Sequence, residues 1–219
     1  MRTEGEGFQL IDILFVCTGN LCRSPMAEAL FQSRLMRDYP DLAVYAEVHS
    51  AGTSAIEGNP ATSSAVQAMD LWGVDLDPHR ASELTPGLLL HADVVLAMAR
   101  EHLLYIGRLE PEALKRSTTL TYLSSRSKEI VSQLGDETVR DEREARARII
   151  RVFDMLRESV PADGFIADIQ SQGSDIIDPI GSSLRVYLGV AEDIESSLDD
   201  ILRALFGRSE TVGEGKEGA

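Results

Sequence analysis

The chain has 219 residues, 43% apolar and 26% charged, with 36 acidic against 21 basic side chains for a net charge of −15. That mix belongs to a soluble globular chain with room for one α/β domain and an insertion or tail. It argues against a nucleic-acid surface or a polybasic membrane anchor, while the absence of an apolar run near ~20 residues argues against a bilayer span.

The first ten residues, MRTEGEGFQL, lack a basic segment followed by an apolar one, so no secretory signal is expected and the cytoplasm is the expected compartment. Leu10 to Val16, broken only by Asp12, reads as a strand buried on both faces. Thr18 to Arg23 is polar and contains a glycine. Ser24-Pro25 then opens a helix, with Ser as N-cap and Pro at the first helical position. Ala27, Leu30, Phe31 and Leu35 carry its period to a stop at Tyr39-Pro40. Val44 to Val48 gives a second strand, ending at His49-Ser50-Ala51-Gly52-Thr53, and a second helix runs from Asn59-Pro60 to Gly73. Ala92 to Met98 is a third buried strand and Thr118 to Leu123 a fourth.

Charge dominates between residues 124 and 173. There Ala145, Ile149, Val152, Leu156 and Val160 mark one helix packed by one side, with Arg146, Arg148 and Arg151 on its solvated face. A long amphipathic helix follows through Leu184, Tyr187, Ala191, Ile194, Leu198, Ile201 and Leu205. Residues 207–219 are charged and glycine-rich, with nothing to bury, and read as a disordered acidic tail. Strands alternating with helices imply a parallel sheet covered on both sides. The expectation is one α/β domain over residues 8–206, with 124–173 as a helical insertion.

The chemistry concentrates in Val16-Cys17-Thr18-Gly19-Asn20-Leu21-Cys22-Arg23-Ser24-Pro25. A cysteine closes a buried strand, an arginine precedes a helix, and the five residues between are mostly small or polar. Such a loop turns backbone N–H groups inward as an anion nest, and the helix N-terminus adds positive charge. Arg23 can fork onto two phosphate oxygens. The same field favours a thiolate at Cys17, placed for attack on phosphorus. The leaving oxygen gains charge and needs a general acid. Asp77-Pro78 and Asp178-Pro179 offer candidates, because proline holds the preceding residue extended. Asp178 is preferred, although spacing alone does not separate the two. Two cysteines without nearby histidines fall short of a zinc site; no metal and no cofactor are expected. His49, His91 and His102 show no ligand spacing and receive no role.

Residues Cys17 to Pro25 closely resemble the signature loop of the low-molecular-weight protein tyrosine phosphatase family. The resemblance continues at Ser50-Ala51-Gly52-Thr53, at His79 with Ala81 and Thr85, at Val94 to Met98, and at Asp178-Pro179. It implies a flavodoxin-like three-layer fold around a four-stranded parallel sheet. It also implies a phosphorylated protein as substrate and a phosphocysteine intermediate on Cys17. Thr18 to Ser24 would then line the phosphate site, with Arg23 on the phosphoryl oxygens. Asp178 would protonate the leaving group and then activate water. Asn20, Ser24, Ser50 and His79 would hold the loop open. Cys22 would match the family's second loop cysteine, a redox guard; the alternative is a small packing thiol.

Substrate choice turns on fewer residues. The aromatic walls that tyrosine-directed members carry are replaced here by Thr53-Ser54-Ala55-Ile56 and Ile180-Gly181. A related branch acts on phosphoarginine; it shares the Gly after Asp-Pro-x but carries Thr where this chain has Leu21. An apolar Leu21 suits a ring edge better than a guanidinium, which favours phosphotyrosine, with phosphoarginine as the alternative. Arsenate reduction uses a similar loop but needs further cysteines, and none follows Cys22. A non-catalytic phosphate-binding module would have no use for both Cys17 and Asp178.

Overall fold

The computed structural model describes residues 10–158, 168–169 and 175–209. Its sheet is organised on β1 (Ile11–Cys17), where Ile13, Leu14, Phe15 and Val16 are all buried. Successive strand side chains point to opposite faces, so burial of all four means that both faces are covered. β2 (Ala46–Gly52), β3 (Val94–Ala97) and β4 (Ser117–Thr119) lie parallel to it in the order β2-β1-β3-β4. Cys17 stands opposite Gly52, and Val16 opposite Ala97. The chain reverses its direction of winding between β1 and β3. In such flavodoxin-like sheets that switch opens a crevice beyond the strands' carboxyl ends.

Local chemistry starts most helices. α1 (Arg23–Asp38) leaves the loop after β1 and ends at Tyr39, where Pro40 opens the short α2 (Pro40–Ala43). Thr62 caps α3 (Ser63–Asp70) by accepting the Ala65 N–H, and Thr85 caps α4 (Pro86–His91) by accepting the Leu88 N–H. α5 (Arg100–Leu109) and a 3-10 turn (Pro111–Arg116) lead into β4. Then come α6 (Leu120–Leu134), α7 (Glu142–Glu158) and α8 (Leu184–Phe206). α8 packs against α1, α3, α6 and α7 and buries Tyr187, Ile194, Leu198, Ile201 and Leu205 in helical register. Among the described residues no helix is long and apolar enough to cross a membrane.

Several local expectations are corrected. Residues 120–123 are not strand but the first turn of α6, because the Thr119 hydroxyl accepts the Tyr122 N–H and caps the helix there. β2 continues through His49 to Gly52, since pairing with β1 keeps that polar stretch in the ladder. Ser24 does not cap α1; it lies inside the first turn, with its hydroxyl given to the loop. Over residues 124–158 the charged stretch already holds two helices where one was expected across 124–173: most of α6, and α7 after a break at Gly135 (φ 84). Ala145, Ile149, Val152 and Leu156 are buried as expected, while Val160 lies outside the described residues.

The arginines of α7 are not simply solvated. Arg146 bonds Asp93 and Glu142, and Arg148 donates to the carbonyls of Ala204 and Gly135, where α8 and α6 end. Of these three, Arg146, Arg148 and Arg151, only Arg151 is exposed. Of the expected tail, residues 207–209 are structured: the Gly207 carbonyl accepts from Tyr39 and Arg208 N–H donates to Asp136 O. Residues 210–219 lie outside the described residues.

Candidate active site

The loop between β1 and α1 wraps around the Cys17 sulfur. Sγ accepts the Asn20 backbone N–H at 3.2 Å and the Ser24 hydroxyl at 3.0 Å. Cys17, Asn20, Arg23 and Ser24 are all buried. Two donors are thus aimed at the one sulfur. Thr53 N–H and Ser54 N–H bond back to the carbonyls of Cys17 and Thr18, which seats the loop on the chain leaving β2.

Asn20 organises the underside. It is the only non-glycine residue with positive φ among those described (φ 53), a conformation that asparagine tolerates better than most side chains. Its Nδ2 donates to Ser24 Oγ at 2.9 Å and to Ser50 Oγ at 2.8 Å, and its Oδ1 accepts the Ser82 N–H. Its backbone carbonyl accepts His79 Nε2–H at 2.8 Å, which identifies the protonated ring nitrogen. Ser50 in turn donates to Glu28 Oε2 at 2.5 Å, and burial raises the pKa of that carboxyl. The chain of donors therefore runs from Asn20 outward to Glu28 through Ser50, and inward to Cys17 through Ser24.

Arg23 lies across the other side. Nη1 donates to the Ile176 carbonyl at 3.2 Å, and Nη2 reaches Asp178 Oδ2 at 2.6 Å and Thr18 Oγ1 at 3.4 Å. Asp178 itself is part-exposed, and its Oδ1 accepts the Ile180 N–H. Asp77, the other Asp-Pro carboxylate, sits in a turn with Asp75 and Arg80. Thr18 Oγ1 also lies 3.0 Å from His102 Nε2, while His102 Nδ1 accepts the Ala99 N–H. Nδ1 therefore carries no proton, and Nε2–H donates to Thr18. Burial first, and the Arg23 cation second, push the His102 pKa down to about 4, so the ring stays neutral.

The family model for low molecular weight phosphotyrosine protein phosphatase matches residues 12–161. The chain belongs to that family. As a member of the low molecular weight phosphatases it is a cysteine-based phosphatase. The low molecular weight protein-tyrosine-phosphatase Ptp of Acinetobacter johnsonii is 41% identical over 105 residues, covering 48% of this chain and 68% of that one. The protein-arginine-phosphatase of Bacillus subtilis is 33% identical over 195 residues, covering 89% and 97%. A crystal structure of a Bacillus subtilis YwlE mutant superposes with a TM-score of 0.62 at 28% identity, covering 89% of this chain and 98% of that one.

The structure thus gathers Cys17, Thr18, Asn20, Arg23, Ser24, Ser50, His79 and Asp178 at one loop. Gly19 and Leu21 lie in its irregular stretch, the Leu21 side chain folded over Gly19. Cys22 faces away from the Asn20 network. Its sulfur lies 3.4 Å from Thr62 Oγ1 and 3.5 Å from the Tyr187 hydroxyl, and burial raises its pKa. Both cysteines are free thiols. Sequence reading missed Glu28 and His102. Glu28 had a weak signal, as the one carboxylate in the first two turns of the helix that follows the loop. His102 had none, because the loop hydroxyl it meets, on Thr18, is 84 residues upstream. Among the described residues no group of three or more His, Cys, Asp and Glu side chains could hold a metal.

Proposed function

We propose that this chain hydrolyses phosphotyrosine in proteins through a phosphocysteine on Cys17. Cys17 Sγ attacks phosphorus as the P–O bond to the leaving group breaks. The loop amides and Arg23 carry the equatorial oxygens, and Asp178 delivers its proton to the departing phenolate oxygen. Water then attacks the thiophosphate, gives its proton to Asp178, and releases inorganic phosphate and the free thiolate. The observation that carries this reading is the convergence of Cys17, Arg23 and Asp178, with two donors on the sulfur and the carboxylate 2.6 Å from the guanidinium.

That ion pair couples binding to acid catalysis. A phosphoryl dianion competes with Asp178 for the same Arg23 Nη2. Once Arg23 turns to the substrate, the carboxyl is released from the guanidinium and faces the bound phosphoryl group. The free enzyme keeps Arg23 compensated, and the occupied enzyme frees Asp178 to meet the leaving oxygen.

Phosphotyrosine is favoured by Leu21, whose Cγ comes within 3.6 Å of a Cβ built on Gly19. The branched side chain therefore covers the loop beside the phosphate site with apolar surface. A phenyl ring gains from that contact, whereas a guanidinium would lose acceptors for its N–H groups. Phosphoarginine is the second reading. It is supported by the near full-length match to a protein-arginine-phosphatase and by Gly181 after Asp-Pro-Ile, at φ 76.

The test compares kcat/KM for phosphotyrosyl and phosphoarginyl peptides in EDTA, for the parent, Leu21→Thr, Cys17→Ser and Asp178→Asn. The phosphotyrosyl peptide should be the better substrate, and Leu21→Thr should lower that preference by about tenfold, the worth of one partly buried side chain. Cys17→Ser should be inactive and Asp178→Asn slower by about 100-fold. A phosphoarginyl preference overturns the substrate assignment; turnover by Cys17→Ser overturns the mechanism.

A further inference from the structure

The segment carrying Asp178 is tied down at its other end by a pair to which no role has yet been given. Asp175 Oδ1 accepts the Arg100 backbone N–H at 3.0 Å and Arg100 Nε at 3.1 Å. Its Oδ2 accepts Nε at 3.2 Å and Nη2 at 3.1 Å. Ala99, the N-cap of α5, has no side chain able to cap, so Asp175 supplies the missing carboxylate from across the sequence. It meets both the first-turn N–H and the positive end of the helix. The next residue extends the stitching: Ile176 N–H donates to Met98 O, and Ile176 O accepts from Arg23 Nη1.

Asp178 is thus held by two kinds of tether. One runs through Arg23, and substrate removes it, because the guanidinium is the group that must turn to the phosphoryl oxygens. The other runs through Asp175, Arg100 and the end of β3, and substrate does not touch it. During proton transfer the second still fixes the segment, and with it the distance between the carboxyl and the leaving oxygen. A carboxyl displaced by about an ångström loses much of its advantage.

We propose that Asp175 and Arg100 are positioning residues for the general acid: their bidentate pair holds the 175–178 segment in place after substrate has drawn Arg23 away from Asp178. The inference rests on the reading of Asp178 as proton donor. What sets this pair apart is its place: Asp175 lies three residues before Asp178, and the next residue, Ile176, accepts from Arg23. The proposed role is selective. Loosening the latch should impair protonation of the leaving group and leave phosphate binding and sulfur attack intact.

The experiment measures kcat/KM for phenyl phosphate, whose leaving group is strongly basic, and for p-nitrophenyl phosphate, whose leaving group needs little help. The parent is compared with Asp175→Asn, Arg100→Ala and the exchanged pair Asp175→Arg/Arg100→Asp, with Asp178→Asn as reference and competitive inhibition by inorganic phosphate read in each. Because the pair is partly solvated, each single variant should slow phenyl phosphate by about tenfold and p-nitrophenyl phosphate by less than about twofold, a fraction of a general acid's full effect. Phosphate inhibition should stay unchanged, and the exchange should restore part of the loss. Equal losses on both substrates, weakened phosphate inhibition, or no loss would overturn the proposal while Asp178→Asn remains selective for phenyl phosphate. Absence of that selectivity in Asp178→Asn would instead overturn the reading of the acid itself.

Discussion

His102 illustrates how a single buried side chain sets the state of its neighbour. Its tautomer follows from one backbone N–H, and the remaining Nε2–H then turns the Thr18 hydroxyl into an acceptor. Arg23 approaches that same oxygen, so the Thr18 proton is free to donate elsewhere. The ring's lowered pKa, about 4 against an ordinary 6.5, also enters the stability. As pH falls below 6.5 the unfolded chain takes up the proton first, so stability is lost between pH 6.5 and about 4 and is fully present above that window. The linkage amounts to about 3 kcal/mol. In urea denaturation His102→Gln should therefore be less stable than the parent at pH 7, with the gap narrowing steadily towards pH 4. A gap that does not change with pH would show that the ring is not held neutral by the fold.

At the scale of elements, the catalytic loop depends on how closely β2 approaches β1. Gly52 pairs with Cys17, and a Cβ added there would lie 2.6 Å from Thr18 O and 2.9 Å from Asn20 N, both backbone atoms of the loop. Neither can yield as a side-chain end could, so the strand needs glycine here for space and not for an unusual φ. Gly52→Ala should push the loop off the sulfur, lowering kcat/KM at least about tenfold and stability by about 2 kcal/mol, as overpacking usually does. Turnover of p-nitrophenyl phosphate and a urea midpoint check both halves. An active, unperturbed variant would mean that the loop is more pliant than this packing implies.

At the scale of the whole molecule, α8 binds the structure together and meets the catalytic loop at Cys22, through Tyr187. It meets α1, α3, α6 and α7, and Arg148 from α7 donates to its final turn. Ile201 and Leu198 are fully buried in that junction. Ile201→Ala should cost about 3 kcal/mol, the usual loss for a large aliphatic core side chain. The kcat of the folded fraction should stay at the parent level, since the Asn20 network and Arg23 lie at the sheet's carboxyl edge. A fall in kcat with stability retained would mean that the packing around Ile201 sets the geometry of the loop. The acidic balance of the chain leaves the loop as a local positive feature, felt only within about a Debye length of ~10 Å.

The sequence by itself determined the β1–loop–α1 unit, the alternation that makes a parallel sheet, and the family, because each of these is written in neighbouring residues. A buried apolar run, an anion-binding loop and a helix start need no knowledge of distant chain. It also supplied Asn20, Ser24, Ser50 and His79 as a set through the resemblance, although only the coordinates give them their donors and acceptors. The resemblance chose Asp178 over Asp77, but only tertiary structure shows that this carboxylate meets Arg23. Asp77 and Asp178 have the same local signature, and only the folded path brings position 178 across 155 residues to the guanidinium. It likewise decided the places of His102, Asp175 and Arg148. Their partners lie 84, 75 and 56 residues away, and a pairing of that span is selected by the packing of whole elements, which no local pattern encodes.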